Sequence, residues 1–224
     1  MGEKKDIEGI IIVNKPQGLT SCRVVEILRK KLKIKKMGHA GTLDPMATGV
    51  LVILVGKATK RFQEFIEYPK EYSATLKLGE STDTGDAQGK IISKGDYSKV
   101  SLEMFKQALE CFKGEIEQVP PMVSALRYKG QRLYKLARKG ITVERKPRKV
   151  KVYDIRLEKF YLPFVDLYIK CSKGTYIRKI AEDLGNLLGC GAHIVKITRL
   201  SQGPYRLEEA KSLEEIDESS IISI

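Results

Sequence analysis

Residues 38–55 read GHAGTLDPMATGVLVILV, a glycine-rich loop followed by an unbroken run of apolar residues. The run at residues 50–55 predicts a central strand that is covered on both faces. Glycines in the loop allow positive φ or a close backbone approach, and Pro45 sets φ beside Asp44. The stretch therefore predicts a shaped loop that holds one carboxylate, although an Asp-Pro pair is also typical of a turn-capping aspartate.

Apolar patterns on both sides of this stretch alternate between strands and helices. Upstream, residues 10–13 predict a strand, and Thr20 or Ser21 predicts the N-cap of an amphipathic helix. Downstream, a helix is expected at residues 61–66 and a half-exposed strand at residues 72–78. Further strands are expected at residues 150–157, 165–171 and 193–197, and further helices near residues 102–112, 133–139 and 176–188. The order predicts one α+β domain in which helices flank a large mixed sheet.

The charge of the chain favours a polyanionic partner. Among 224 residues, 41 Lys+Arg against 28 Asp+Glu leave a net charge of +13. Six of the eight residues at 29–36 are basic, and residues 127–151 carry eleven basic residues against the single Glu144. We predict that both patches contact nucleic acid, whereas the alternative interpretation of such a charge run is a solvated helix face.

Several classes of site are excluded by missing motifs. The chain has no phosphate-binding G-x-x-x-x-G-K-[ST], no G-x-S-x-G and no H-E-x-x-H. Its two histidines and four scattered cysteines cannot supply clustered metal ligands, so no metal is expected. We expect the four cysteines to be reduced, buried thiols: Cys22, Cys111, Cys171 and Cys190. No apolar run approaches the roughly 20 residues of a membrane span, and no signal peptide is evident, so we expect a cytoplasmic protein.

Several long motifs, in order along the chain, resemble one family. They are NKPQGLTS at residues 14–21, GHAGTLDPMATGVL at 38–51, KEYSATLKLG at 70–79, TDTGDAQG at 82–89, QVPPMVSA at 118–125, KGQRLYKLAR at 129–138, GTYIR at 174–178 and LGCGAH at 188–193. Together they are similar to the motifs of the bacterial tRNA pseudouridine-55 synthases, the TruB family. The resemblance implies the pseudouridine synthase fold, which is α+β with a large mixed, mainly antiparallel sheet and flanking helices.

The resemblance also implies the residues of an active site. Asp44 matches the essential aspartate, Tyr72 the tyrosine against the target base, and Arg178 the arginine that pairs with the aspartate. The positions implied for substrate contact are His39, Tyr176, Leu200 and Lys15, the last of which we expect to support the floor of the site. From their local pattern alone, Tyr72 and Tyr176 would both be assigned to the core.

The implied reaction is an isomerisation of uridine 55 in the T-loop of tRNA, which needs no cofactor. The carboxylate could attack the sugar or the base, or act as a base at the sugar. The target base must leave its stack before any of these steps. We expect a monomer that binds the T-arm stem-loop without an obligatory protein partner or a membrane. The basic side chains expected on the RNA backbone are Lys33, Lys35, Lys36, Arg132, Arg138 and Lys139.

The acidic end of the sequence suggests a domain boundary. We expect residues 1–207 to form the catalytic domain, followed by an acidic segment, residues 208–224, too short to be the PUA domain that members of the family usually carry. Two rival functions remain. The first is noncatalytic RNA binding on the same scaffold, against which Asp44, Tyr72 and Arg178 together argue. The second is a guide-RNA-dependent synthase similar to the archaeal and eukaryotic enzymes, against which the lack of a PUA domain argues.

Overall fold

The fold is described for residues 8–224 in a computed structural model. It is α+β with a large mixed, mainly antiparallel sheet, which confirms the predicted fold class. The described chain forms two compact units, a first unit of residues 8–72 with Ile197–Ile224 and a second unit of residues Ser73–Lys196. The boundaries between the units fall inside two strands, β4 (Lys70–Leu78) and β12 (Ala192–Gln202).

The first unit is built around the buried apolar run. Its elements are β1 (Glu8–Lys15), α1 (Ser21–Lys31), β2 (Met37–His39), β3 (Thr48–Gly56), a 3₁₀ helix (Lys57–Arg61), α2 (Phe62–Glu67) and β13 (Tyr205–Arg206). Strand β3 pairs antiparallel with β1 and β2 and parallel with β12, and β13 pairs with β12. Residues 50–55 of β3 are all buried, which confirms the predicted central strand.

Helix α1 begins where the sequence predicts. The side chain of Thr20 accepts a hydrogen bond from the backbone N–H of Arg23, which satisfies one free donor of the first turn. Val24, Val25 and Leu28 form the buried face of the helix. The first basic patch extends beyond the helix, because α1 ends at Lys31 and residues 33–36 follow it. Within this patch, residues 29–31 form the last turn of the helix, and residues 33–36 lie beyond it.

The second unit contains the remaining strands and helices. They are β5 (Glu80–Thr82), β6 (Ile91–Lys94), α3 (Leu102–Glu110), β7 (Gly114–Gln118), β8 (Arg127–Tyr128), β9 (Gln131–Arg132), α4 (Leu133–Ala137), β10 (Arg148–Tyr161), β11 (Phe164–Cys171) and α5 (Ile177–Leu187). Strands β4, β11, β10 and β7 follow one another across the sheet. Phe105 of α3 packs on Phe160 of β10, with ring centroids 5.7 Å apart. Every strand and helix that the sequence predicts in this unit is present.

The acidic segment after residue 207 packs along the free side of β1. The backbones of Ile10 and Ile222 exchange two hydrogen bonds of 2.9 Å, and Lys211 N–H donates to the carbonyl of Ile12 over 3.0 Å. The ammonium of Lys31 donates to the carbonyls of Leu213 and Glu214. These contacts place residues 211–222 in the first unit, while the predicted division of the chain at residue 207 stays a prediction.

The expected burial of the four cysteines is only half correct. Cys171 and Cys190 are buried, whereas Cys22 and Cys111 are exposed. Cys22 lies on α1 outside the buried face that carries Val24, and Cys111 is the C-cap residue of α3. Within residues 8–224, no helix combines the length and the apolar character needed to cross a bilayer.

Candidate active site

Asp44 lies on a loop, residues 40–47, that joins β2 to β3. The neighbouring Leu43 is anchored through both of its backbone groups, because its N–H donates to Ser21 Oγ over 2.9 Å and its carbonyl accepts from the same hydroxyl over 3.1 Å. The carbonyl of Asp44 accepts from the N–H of Ala47 at 3.0 Å. The backbone on either side of the half-buried Asp44 carboxylate is therefore fixed, as the glycine and proline pattern predicts.

Lys15 ties a second loop to this one. Its side chain is fully buried, and Nζ donates to the carbonyls of Pro16, Leu19 and Pro45 over 2.8, 2.7 and 3.3 Å. Burial lowers the pKa of Lys15 from 10.5 to about 8; the negative charge of Asp44 acts in the opposite direction and the positive charge of Arg199 in the same direction. Lys15 thus supports the loop beneath Asp44, and its predicted contact with substrate stays a prediction.

Gly49 allows a close approach of two strands at the end of the loop. It adopts φ of +99°, and a Cβ atom there would stand 2.2 Å from the carbonyl oxygen of Arg199. Any other residue would push β3 away from β12, because an L side chain is disfavoured at this φ and would also collide with the neighbouring backbone. This is one position where the glycine of the motif has a demonstrable structural reason.

Three further predicted site residues lie in the same unit as Asp44. Tyr72 is 8% exposed on β4, and Leu200 is half-buried on β12. His39 is half-buried at the end of β2, where its Nε2 lies 3.8 Å from the sulfur of Cys22. Buried and half-buried side chains of this kind are found both in the walls of binding sites and in the protein core. The predicted contacts of these three residues with a substrate therefore stay predictions.

Arg178 and Tyr176 belong to the second unit. Arg178, at the start of α5, is 4% exposed; its guanidinium donates to the carbonyls of Thr84 and Val123 over 2.6 and 2.8 Å and lies 3.8 Å from a carboxylate oxygen of Asp86. The backbone of Tyr176 is held by the amide of Gln118, which both donates to its carbonyl and accepts from its N–H. The predicted pairing of Arg178 with Asp44 joins residues of different units and stays a prediction.

The predicted RNA-backbone residues are exposed and only lightly held. Arg132 donates to the carbonyl of Ala125, and the guanidinium of Arg138 lies 5.5 Å from the ring centre of Tyr134. Lys139 is exposed, as are the three lysines of the first patch, Lys33, Lys35 and Lys36. Exposed cations on short elements can reach a phosphate backbone, which is what nonspecific RNA affinity requires. Their contact with RNA stays a prediction.

Comparison with sequence families matches two adjoining stretches that together cover residues 29–223. The sequence model of TruB family pseudouridylate synthase (N-terminal domain) matches residues 29–177, and that of the tRNA pseudouridylate synthase B C-terminal domain matches residues 178–223. This chain belongs to the TruB family. The match confirms the family that the motifs predict, and members of this family are isomerases. The roles of the individual site residues stay the predictions stated above.

Named relatives in the TruB family are similar over nearly the whole chain. The chain is 46% identical over 216 residues to tRNA pseudouridine synthase B of Francisella philomiragia subsp. philomiragia, covering 96% of this chain and 72% of the relative. It is 49% identical over 215 residues to tRNA pseudouridine synthase B of Clostridium tetani, covering 96% of this chain and 74% of that one.

Solved structures share the fold. One chain of a Cbf5–Nop10–Gar1 complex superimposes with a TM-score of 0.73 at 32% identity, covering 92% of this chain and 53% of that one. A chain of an H/ACA RNP bound to a substrate RNA containing 2′-deoxyuridine gives a TM-score of 0.69 at 28% identity, covering 92% and 51%. The chain thus spans about half the length of these two solved chains.

Sequence reasoning missed buried polar side chains that hold the backbone near predicted site residues within each unit. Arg199, Gln202 and Gln118 are all buried, and each bonds to backbone groups. A signal was present for Arg199, because the alternation that buries Ile197 and Ser201 on β12 places residue 199 on the same inward face. An inward arginine in a strand needs acceptors, and this would have marked Arg199 as part of the site's support.

Proposed function

We propose that this chain converts uridine 55 in the T-loop of tRNA to pseudouridine, with Asp44 as the essential carboxylate. The observation that carries the proposal is the Asp44 loop, whose backbone is fixed by Ser21 on one side and by Lys15 on the other. A single carboxylate that reacts with a sugar or a base must be held in place, since misplacement by about 1 Å lowers rates strongly. The relatives named tRNA pseudouridine synthase B support tRNA as the substrate.

The chemistry requires little more than this carboxylate. The bond from the ribose C1′ to N1 of uracil breaks, a bond from C1′ to C5 forms, and the proton of C5 is lost while N1 gains one. Substrate and product are isomers, so the proposed reaction consumes no reductant, oxidant or nucleotide. Asp44 acts as a nucleophile on the sugar or base, or as a base at the sugar. Tyr72 offers an aromatic ring on which the uracil can stack.

Binding must also extract the target base from its stack. Unstacking costs roughly a few kcal/mol and is offset by contacts elsewhere on the RNA. The net charge of +13 and the exposed cations of the two basic patches supply sequence-independent affinity for the T-arm. We therefore include base flipping in the proposal, with the flipped uridine placed against Tyr72, and His39 filling the space that it leaves.

A guide-RNA-dependent synthase is the second candidate, because a chain of an H/ACA RNP bound to a substrate RNA shares the fold at 28% identity. The relatives of higher identity, named tRNA pseudouridine synthase B, favour the first candidate. The two functions differ in what the enzyme needs. A tRNA pseudouridine synthase of the proposed kind acts as a monomer in the cytoplasm, without a guide RNA or a protein partner. A guide-dependent enzyme would leave a free tRNA unmodified.

The test is incubation of the purified chain alone with unmodified tRNA, followed by carbodiimide treatment and primer extension. The expected result is a single carbodiimide-dependent stop that reports position 55. A transcript with cytidine at position 55 is the matched control and should give no stop. Absence of the stop in the uridine transcript, with the protein folded, would refute the proposed function.

A further inference from the structure

Arg199 joins the two ends of the loop that carries Asp44. Its side chain is 1% exposed, its Nε donates to the carbonyl of Val50 over 2.6 Å, and Nη2 donates to the carbonyl of Gly41 over 3.2 Å. Gly41 precedes Asp44 in the loop, and Val50 lies in β3 just after the loop. One guanidinium therefore bridges the entry and the exit of the loop from its buried side.

The backbone of β12 brings Arg199 into this position. In the parallel pairing of β12 with β3, Arg199 is in register with Gly49, and Thr198 is in register with Thr48. The hydroxyls of that second pair lie 2.9 Å apart. Three residues after Arg199, Gln202 Nε2 donates to the carbonyl of Ala40 over 2.6 Å. The entry of the loop is thus held at two successive carbonyls by side chains from one strand.

We propose that Arg199 is a positioning residue for Asp44, acting through the carbonyls of Gly41 and Val50 without touching the substrate. The inference rests on the proposed function, because it takes Asp44 as the reacting group. Nε and Nη2 of a guanidinium form a rigid planar fork, so their two bonds fix the distance between two acceptors. A lysine ammonium keeps the charge but not the fork.

The role predicts a particular kinetic signature. Loosening the loop leaves RNA binding intact, since affinity comes from contacts spread over many phosphates, but misplaces the carboxylate in the transition state. We expect Arg199→Lys to lower kcat by about tenfold to hundredfold while KM stays within about twofold. A residue that served RNA affinity would instead raise KM.

The control is Thr198→Val, which removes the Thr48–Thr198 hydrogen bond from the same strand pair without touching the guanidinium. Both variants are checked for folding by circular dichroism and urea unfolding. A kcat loss in Arg199→Lys that is at least fivefold larger than in Thr198→Val supports the proposal. Equal losses, or an unchanged kcat in a folded Arg199→Lys protein, overturn it. Should Arg199→Lys not fold, Arg199→Gln is measured against the same criteria.

A second measurement separates loop positioning from general destabilisation. Amide hydrogen exchange in Arg199→Lys should speed up at residues 41–47 more than at residues 10–13 of β1. Uniform acceleration of both segments overturns the proposal. The Asp44→Asn variant distinguishes failure of the proposed function from failure of the inference about Arg199. An active Asp44→Asn protein refutes the proposed function. An inactive Asp44→Asn protein together with a fully active Arg199→Lys protein refutes only the inference about Arg199.

Discussion

The Asp44 loop and the basic segment at residues 120–147 are built in opposite ways. In the loop, carbonyls before and after Asp44 accept hydrogen bonds from buried side chains such as Lys15 and Arg199. The basic segment contains only the short elements β8, β9 and α4, and most of its cations point into solvent. One region is held by charged groups facing inward, and the other presents charged groups facing outward.

The difference follows from what each region has to do. A reacting carboxylate must be placed within a fraction of an ångström, whereas a phosphate contact tolerates several side-chain conformations. We therefore expect substitutions in the loop and of buried side chains that hold backbone carbonyls to change turnover. Substitutions of exposed cations in the basic segment should change affinity and its dependence on salt.

The largest effect is expected at Asp44. Asp44→Asn should abolish turnover while tRNA affinity stays within about tenfold, because the amide keeps the size of the side chain but cannot act as a carboxylate. Pseudouridine mapping and filter binding on the same preparation measure the two quantities. Turnover at a rate comparable to the wild-type protein would show that the loop is held for some reason other than chemistry.

The buried cation beneath the loop should make stability depend on pH. The pKa of Lys15 is about 8 in the folded protein and ordinarily 10.5, so between these values the unfolded chain holds more protons and stability rises with pH. This gain is at most about 3 kcal/mol between pH 7 and pH 10. It should disappear in Lys15→Met.

Urea unfolding at pH 7 and pH 10 measures this gain in both proteins. The matched control is Lys139→Met, in which an exposed lysine of the basic segment is replaced, and it should show the same gain as the wild-type protein. A gain that persists in Lys15→Met would mean that other groups titrate in this range and that Lys15 is not the source.

Arg178 holds the basic segment at its beginning, through the carbonyl of Val123. Arg178→Lys should lower kcat by about tenfold or more, because an ammonium cannot serve the carbonyls of Thr84 and Val123 with one planar fork. Initial rates on T-arm substrates at saturating RNA measure the effect. Full activity would show that a fixed start of the segment is unnecessary for turnover.

The smallest effect is expected from the exposed cations themselves. Replacing Arg132, Arg138 and Lys139 together by Ala should flatten the slope of log affinity against log salt by roughly two units if at least two of them touch phosphate, since each contact contributes somewhat under one unit. Turnover at saturating RNA should hardly change. The same substitution at Lys33, Lys35 and Lys36 is the comparison, and an effect confined to it would move the RNA footprint to the first patch.

The elements that the sequence predicts are those with long apolar patterns. Strand β3 is recognisable because residues 50–55 are all apolar, and β4 because its apolar residues alternate. Strand β7 was not predicted because Ile116 is its only large apolar residue, and it is stabilised by pairing with β10, including an ion pair of 2.8 Å between Glu115 and Lys149. Strands β2, β8 and β9 are too short to show a period.

The supports of the site were harder to predict than its motif. Pattern reasoning places charged residues of a strand outside, yet Lys15 and Arg199 are buried because their partners are backbone carbonyls. Some of those carbonyls lie far away along the chain, and no local pattern reveals them. The motif residues could be proposed from a resemblance, whereas the way in which the loop is held required the three-dimensional arrangement.

The pairing of β1 with residues 211–222 has a consequence for how the chain folds. Strand β1 lies near the start of the sequence, but the backbone groups along one of its edges are hydrogen-bonded only by a segment far along the chain. Contacts between such distant residues slow folding, because a long loop must close before they can form. During synthesis on the ribosome, the outer edge of β1 stays unpaired until residues 211–222 have emerged, and an unpaired strand edge can pair with other chains and aggregate.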